Sequence, residues 1–172
     1  IFDPDIQEYF RHPSVANIQN MIYRIAHQTF DPGVAYEKVE KTPQTGIYHT
    51  DAKALFTDYE AYLKWYQTRS RYVEHNPWIG MMLFTSNLEE GQVEAIDAII
   101  KALESEGFNV LPCFGSEHRI LTYFLADSTG KSRVDLVLAL SLKFYSALNE
   151  KMQRALNDLK TPIFNGINLH AI

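Results

Sequence analysis

The second half of this 172-residue chain alternates two hydrophobic patterns, and that alternation restricts the fold more than any other feature. Trp78 to Thr85 is apolar on both faces, as a strand covered by helices on both sides must be. Ser86-Asn87-Leu88-Glu89 has the form of a capping box, and Val93, Ile96, Ile100 and Leu103 lie on one helical stripe closed by Gly107. Phe108 to Phe114 reads as a second strand, Ser116 to Leu125 as a short helix, and Val134 to Leu140 as a third strand. Tyr145, Leu148, Met152, Ala155 and Leu159 trace another helix before a fourth strand at Pro162-Ile163-Phe164. Strands separated by helices with short connections build a mainly parallel sheet with helices on both faces, and right-handed crossovers limit its topology. The expected fold is α/β: a three-layer αβα, doubly wound, flavodoxin- or Rossmann-like sheet of order 2-1-3-4.

In such a sheet, ligands bind beyond the carboxyl ends of the strands, where the winding reverses between the first and third. The loops there are Thr85 to Leu88, Gly115 to His118 and Ser141 to Lys143. The first half reads differently. Val15, Ile18, Ile22 and Ile25 recur at helical spacing behind Pro13-Ser14, which predicts a helix over about 14–28. Asp31-Pro32-Gly33 breaks it, and Tyr36 to Asp51 lacks periodicity and reads as loop. Thr57 to Glu60 fits a capping box for a helix carrying Tyr59, Tyr62, Leu63 and Tyr66, and Asn76-Pro77 ends the region. We therefore expect a helical and loop segment over 1–76 and a βαβαβαβ domain over 77–172. Because the chain starts at Ile1 rather than Met, an excerpt from a longer polypeptide is expected.

Composition excludes several functions. Apolar residues make up 46% and charged residues 22%, which is ordinary globular usage. Sixteen Lys and Arg against 21 Asp and Glu give a charge of -5, so neither a nucleic-acid footprint nor a polybasic membrane anchor is expected. No apolar stretch is long enough to span a bilayer. A lone cysteine, Cys113, makes no internal disulfide and is compatible with the reducing cytoplasm, where we place the chain. Both glycine-rich phosphate cradles are missing, so ATP hydrolysis by this segment is not expected, and a flavodoxin-like nucleotide binder is disfavoured. Zinc-protease, serine-hydrolase and paired-cysteine motifs are absent as well.

The run Pro77-Trp78-Ile79-Gly80-Met81-Met82-Leu83-Phe84-Thr85-Ser86, the helix Ala95-Ile96-Asp97-Ala98-Ile99-Ile100-Lys101-Ala102-Leu103-Glu104 and Gly107 to Pro112 resemble the large subunits of cobaltochelatase and magnesium chelatase. Val134 to Leu138, Leu159 to Ile163, Gly46-Ile47-Tyr48-His49-Thr50-Asp51-Ala52 and Tyr62-Leu63-Lys64-Trp65-Tyr66 continue the likeness in the same order. Two positions depart from it: Thr50 replaces a proline, and Phe84-Thr85 stands where Tyr-Arg is common. The resemblance implies a tetrapyrrole substrate, divalent cobalt (or magnesium) as the inserted ion, and separate ATP-hydrolysing partner subunits. Cobalt insertion into a corrin precursor of cobalamin is its first implication, and magnesium insertion into protoporphyrin its second. A non-catalytic docking module of a larger chain is the competing reading, and no activity is expected of the excerpt alone.

Metal insertion needs a base for the ring protons and a ligand that delivers the ion. His49 is the first candidate for both, because it belongs to the family-like Tyr-His-x-Asp element and has Asp51 two residues away to orient its ring or share the metal. His118, beside Glu117 after the second strand, is the second candidate base. Ser86 and Asn87, at a helix amino end, and Ser141, after the third strand, are candidate cofactor-binding residues on the crevice loops. The opposite reading is bland for each: a loop-fixing hydrogen bond for His49, an exposed first-turn residue for His118, and a helix cap for Ser86. Cys113 reads as a small buried hydrophobe.

Overall fold

The structure is a computed structural model and describes residues 3–141 and 150–166. Its elements are α1 (Pro4–Arg11), α2 (Val15–Thr29), β1 (Gly46–Ile47), α3 (Tyr59–Tyr66), β2 (Trp78–Leu83), α4 (Thr85–Glu89) and α5 (Glu94–Ser105). They continue with β3 (Asn109–Phe114), α6 (Glu117–Arg119), a π-helical turn (Ile120–Leu125), β4 (Leu136–Ala139), α7 (Glu150–Leu159) and β5 (Ile163–Asn165). The chain divides into two compact units. Residues up to Thr42 together with Ser86–Val93 form one, and Pro43–Thr85 with the residues from Glu94 onward form the other.

In the first unit, Asp3 caps α1 by accepting the Asp5 amide at 2.9 Å, a helix the sequence reading did not anticipate. Ser14 caps α2, its hydroxyl accepting the Asn17 amide at 3.1 Å. The apolar stripe that marks α2 in the sequence faces outward, with Val15 76% and Ile22 56% exposed, whereas Asn17 and Met21 are buried. Asn17 goes inside because its amide ties two backbone segments together. Nδ2 donates to the carbonyls of His12 (2.6 Å) and Glu40 (2.7 Å), and Oδ1 accepts the Glu40 amide at 2.9 Å.

The second unit holds a five-stranded sheet of order β1-β3-β2-β4-β5. The four anticipated strands pair in parallel and in the expected 2-1-3-4 order, so the doubly wound α/β expectation holds. β2 is the central rail, pairing Trp78–Leu83 with Asn109–Phe114 on one side and Ile79–Met82 with Leu136–Ala139 on the other. Ile79, Met81, Met82 and Leu83 are all buried, which is why the run reads as apolar on both faces. Helix α5 ends in a Schellman turn: Gly107 sits at φ +85° and the Phe108 amide reaches back to the Leu103 carbonyl at 3.0 Å.

Several local readings need correction. Gly46-Ile47, inside the expected loop, forms the antiparallel edge strand β1, because Ile47 can pair both with Cys113 in β3 and with Phe56. The cap of α3 is Asp58, whose Oδ1 accepts the Ala61 amide at 2.9 Å, rather than Thr57. Ser86 lies inside α4 instead of capping the long helix, which starts only at Glu94 beyond Gly91 at φ +70°. The Ser116 helix becomes a π-helical turn, with the Ala126 amide bonded to the Leu121 carbonyl at 3.1 Å. Lys143, Tyr145 and Leu148 lie outside the described residues.

At the carboxyl end of β3 the backbone runs so close to the start of β1 that only glycine fits. Gly115 has φ +129°, and a Cβ there would meet Thr45 Oγ1 at 2.1 Å and the Gln44 carbonyl oxygen at 2.8 Å. Gly115→Ala is expected to cost about 1–3 kcal/mol, seen as a lower urea midpoint at unchanged denaturant slope.

Candidate functional site

The Tyr-His-x-Asp element follows β1 and folds back into the interior. The Tyr48 amide donates to the Pro112 carbonyl at 2.8 Å, and the Tyr48 hydroxyl donates to Asp97 Oδ1 on α5, also at 2.8 Å. These two bonds fix the loop along β3 and deliver His49 to a buried position, 1% exposed. There the His49 Nδ1 accepts the Asp51 amide at 3.2 Å, which assigns the ring proton to Nε2. Nε2–H in turn donates to Glu104 Oε1 at 3.2 Å.

Glu104 is the centre of the cluster. It is 5% exposed, on the inner face of α5, and its Oε1 also accepts the Tyr66 hydroxyl of α3 at 3.0 Å. Its other oxygen faces the Arg69 guanidinium at 3.5 Å, and Arg69 also bonds Asp51. A carboxylate withdrawn from water is tolerated only when its lone pairs are filled, and five side chains from three stretches of chain close this circuit. Rings surround it: Trp65 stands 5.0 Å and Tyr66 5.7 Å from the His49 ring, and the Arg69 guanidinium lies 5.0 Å from the Trp65 ring centre.

Electrostatics follow from this burial. Desolvation and the Arg69 charge push the His49 pKa below its ordinary value, outweighing the pull of Glu104, so the ring is neutral. The hydrogen bond from Arg69 holds the Asp51 carboxyl below its usual range. Burial raises the Tyr66 phenol, with the Glu104 charge adding to it. His49 and Asp51 are thus brought together, as their spacing suggested, but neither ring nitrogen has a free lone pair to offer a metal. Among the described residues, no group of three or more His, Cys, Asp or Glu is disposed to hold an ion.

The other sequence candidates lie elsewhere. His118 is half-buried on α6, on the wall of a cavity of about 450 Å³ shared with α7. Ser86 is exposed and Asn87 buried, both on α4. Ser141, at the carboxyl end of β4, is 2% exposed, and its hydroxyl has no hydrogen-bond partner among the described residues. Cys113 is fully buried, and desolvation pushes its thiol up, so it packs as a hydrophobe. The sequence reading missed Glu104, Tyr66 and Arg69. Glu104 sits 55 residues from His49 in the chain, and only the sheet topology brings them together.

Comparison with known proteins decides the family. A family model described as CobN/Magnesium Chelatase matches residues 7–171. The chain belongs to the CobN/magnesium chelatase family. It is 30% identical over 135 residues to the magnesium-chelatase H subunit of Chlorobaculum parvum, a match covering 77% of this chain and 10% of that protein. It is also 30% identical over 142 residues to the chloroplastic magnesium-chelatase subunit ChlH of Oryza sativa subsp. indica, covering 73% and 10% respectively. Its fold is similar to the catalytic subunit of cobaltochelatase from Mycobacterium tuberculosis, with a TM-score of 0.59 at 16% identity over 94% of this chain and 13% of that one. The chain therefore spans about a tenth of the length of the curated relatives it matches.

The neutral buried imidazole gives a signed pH dependence. An unfolded histidine takes up a proton near 6.5 while folded His49 resists it, so stability is full above that value and declines as pH falls through it. The slope contributed is at most about 1.4 kcal/mol per pH unit. His49→Gln, which keeps a donor to Glu104 but cannot titrate, should flatten this part of a stability-against-pH curve. The decline from Asp51 below 3.8 should remain.

Proposed function

We propose that this chain is a segment of the large, tetrapyrrole-binding subunit of an ATP-dependent metal chelatase, acting with separate ATP-hydrolysing subunits. The observation that carries the reading is the family match over residues 7–171, on a sheet built as a doubly wound domain. The absence of both glycine-rich phosphate cradles from the sequence fits a division of labour in which other chains hydrolyse ATP. Within this reading the His49–Glu104 cluster holds the β1 loop against α3 and α5, so it preserves the shape of the domain and does not deliver the ion.

Two metals compete. The magnesium-chelatase relatives at 30% identity favour magnesium insertion into a porphyrin, and we take that as the leading assignment. Cobalt insertion into a corrin precursor is the second reading, supported by the cobaltochelatase neighbour at 16% identity. In either case the ion is substrate, and a cytoplasmic location fits a chain in which no described helix is long and apolar enough to cross a membrane.

Reconstitution of the full-length parent protein with its ATPase partners tests both parts. Insertion of Mg²⁺ into a porphyrin, or of Co²⁺ into a metal-free corrinoid, dependent on ATP and on all subunits, is the expected result. Which pair turns over decides the metal. Failure of the full-length protein to shift the visible bands of either ring would refute the reading.

A further inference from the structure

A cavity of about 550 Å³ lies wholly within the sheet-bearing unit, between the amino end of α3 and the π-helical turn. It is independent of the His49 cluster, and its construction is unusual. With i→i+5 bonding, side chains four and five positions apart share a face, so Arg119, Tyr123 and Phe124 all line the cavity from one stretch of chain. Arg133 holds that register. Its guanidinium donates to the carbonyls of Tyr123 (3.3 Å), Phe124 (3.4 Å) and Ala126, and lies 4.2 Å from the ring centre of Tyr59 on the opposite wall. The Arg133 charge is thus engaged in the frame.

Arg119 is different. It is exposed at the edge of the cavity and makes no hydrogen bond or ion pair among the described residues. Beside it Tyr123 is 67% exposed, a large ring left open to solvent. A guanidinium fork next to an open aromatic face suits a flat conjugated ligand carrying a carboxylate. The remaining charges narrow the choice. Asp58 and Glu60 stand on the α3 wall, so the cavity's two arginines are matched by two carboxylates. That balance disfavours a polyphosphate, which needs excess positive charge, and leaves Arg119 to pair with one carboxylate on an otherwise neutral ring. Gln44 adds a side-chain amide at the rim.

The geometry points to this cavity as the place where the carboxylate-bearing edge of the tetrapyrrole docks, with the carboxylate on Arg119 and the ring face against Tyr123. The assignment rests on the reading under Proposed function. It assigns ligand contacts to residues other than the histidines, on the α3 side of the π-helical turn.

The test uses the full-length large subunit, titrated by fluorescence with metal-free deuteroporphyrin and with its dimethyl ester, which keeps the ring and removes the carboxylate charges. Wild-type protein should bind the free acid more tightly than the ester. Arg119→Gln should weaken free-acid binding about tenfold, leave the ester unchanged and so erase the preference, and Arg119→Lys should restore it in part. Tyr123→Ala should weaken both ligands alike. Because Arg119 and Tyr123 are exposed, melting temperatures should stay at the wild-type value, which separates lost contact from lost fold. If wild type binds the porphyrin and Arg119→Gln retains the acid-over-ester preference, the docking assignment is wrong while the chelatase reading stands. If wild type binds neither the free acid nor the ester, the docking assignment falls, and titration with a metal-free corrinoid then decides whether the chelatase reading stands.

Discussion

Everything in the sheet-bearing unit is arranged around one strand with no free edge. β2 donates and accepts along both sides, is buried on both faces and is paired in parallel on each edge, so each neighbouring strand must return to the same end before it can pair. That requirement demands crossover segments, and covering both faces demands that they be helical and apolar on one side. α5 meets it with Ile96 and Ile100, and the π-helical turn with Ile120, Leu121, Phe124 and Leu125. The loops at the carboxyl ends of the strands are where a domain of this construction carries ligands.

This logic also explains what the sequence alone reveals. β2 and β3 are legible because double-sided burial writes a continuous apolar run, β4 because its half-buried face is apolar as well, and α5 because one-sided burial writes a stripe. β1 is invisible for the opposite reason: two residues acquire strand geometry only by pairing with β3 and Phe56, and nothing local in Gly46-Ile47 announces it. The inward face of α2 is misjudged by hydrophobicity, because Asn17 is buried to satisfy three backbone groups while Val15 and Ile22 remain outside. The Tyr-His-x-Asp element shows that the locality of His49 matters, yet its chemistry depends on Glu104, a residue that reads in sequence as an ordinary helical carboxylate.

The buried carboxylate sets the character of that region. A circuit of His49, Tyr66, Arg69 and Asp51 around Glu104 is costly to desolvate, and the bonds it makes offset that cost, with the buried Arg69 Nε left without a partner among the described residues. Such a cluster specifies where α3 and α5 stand relative to β3 more sharply than aliphatic packing does, because hydrogen bonds are directional and van der Waals contact is not. Fixing the shape of this unit in this way keeps its surface features at constant spacing.

The extra residue in the turn after α6 has a mechanical consequence. Reverting this turn from i→i+5 to i→i+4 bonding would swing the side chains that follow it by about 100° around the axis. Arg133 is the latch against that slip: gripping three carbonyls at once, it keeps Phe124 and Tyr123 in step with Arg119. A single surface-proximal guanidinium thereby sets the angular phase of an entire wall.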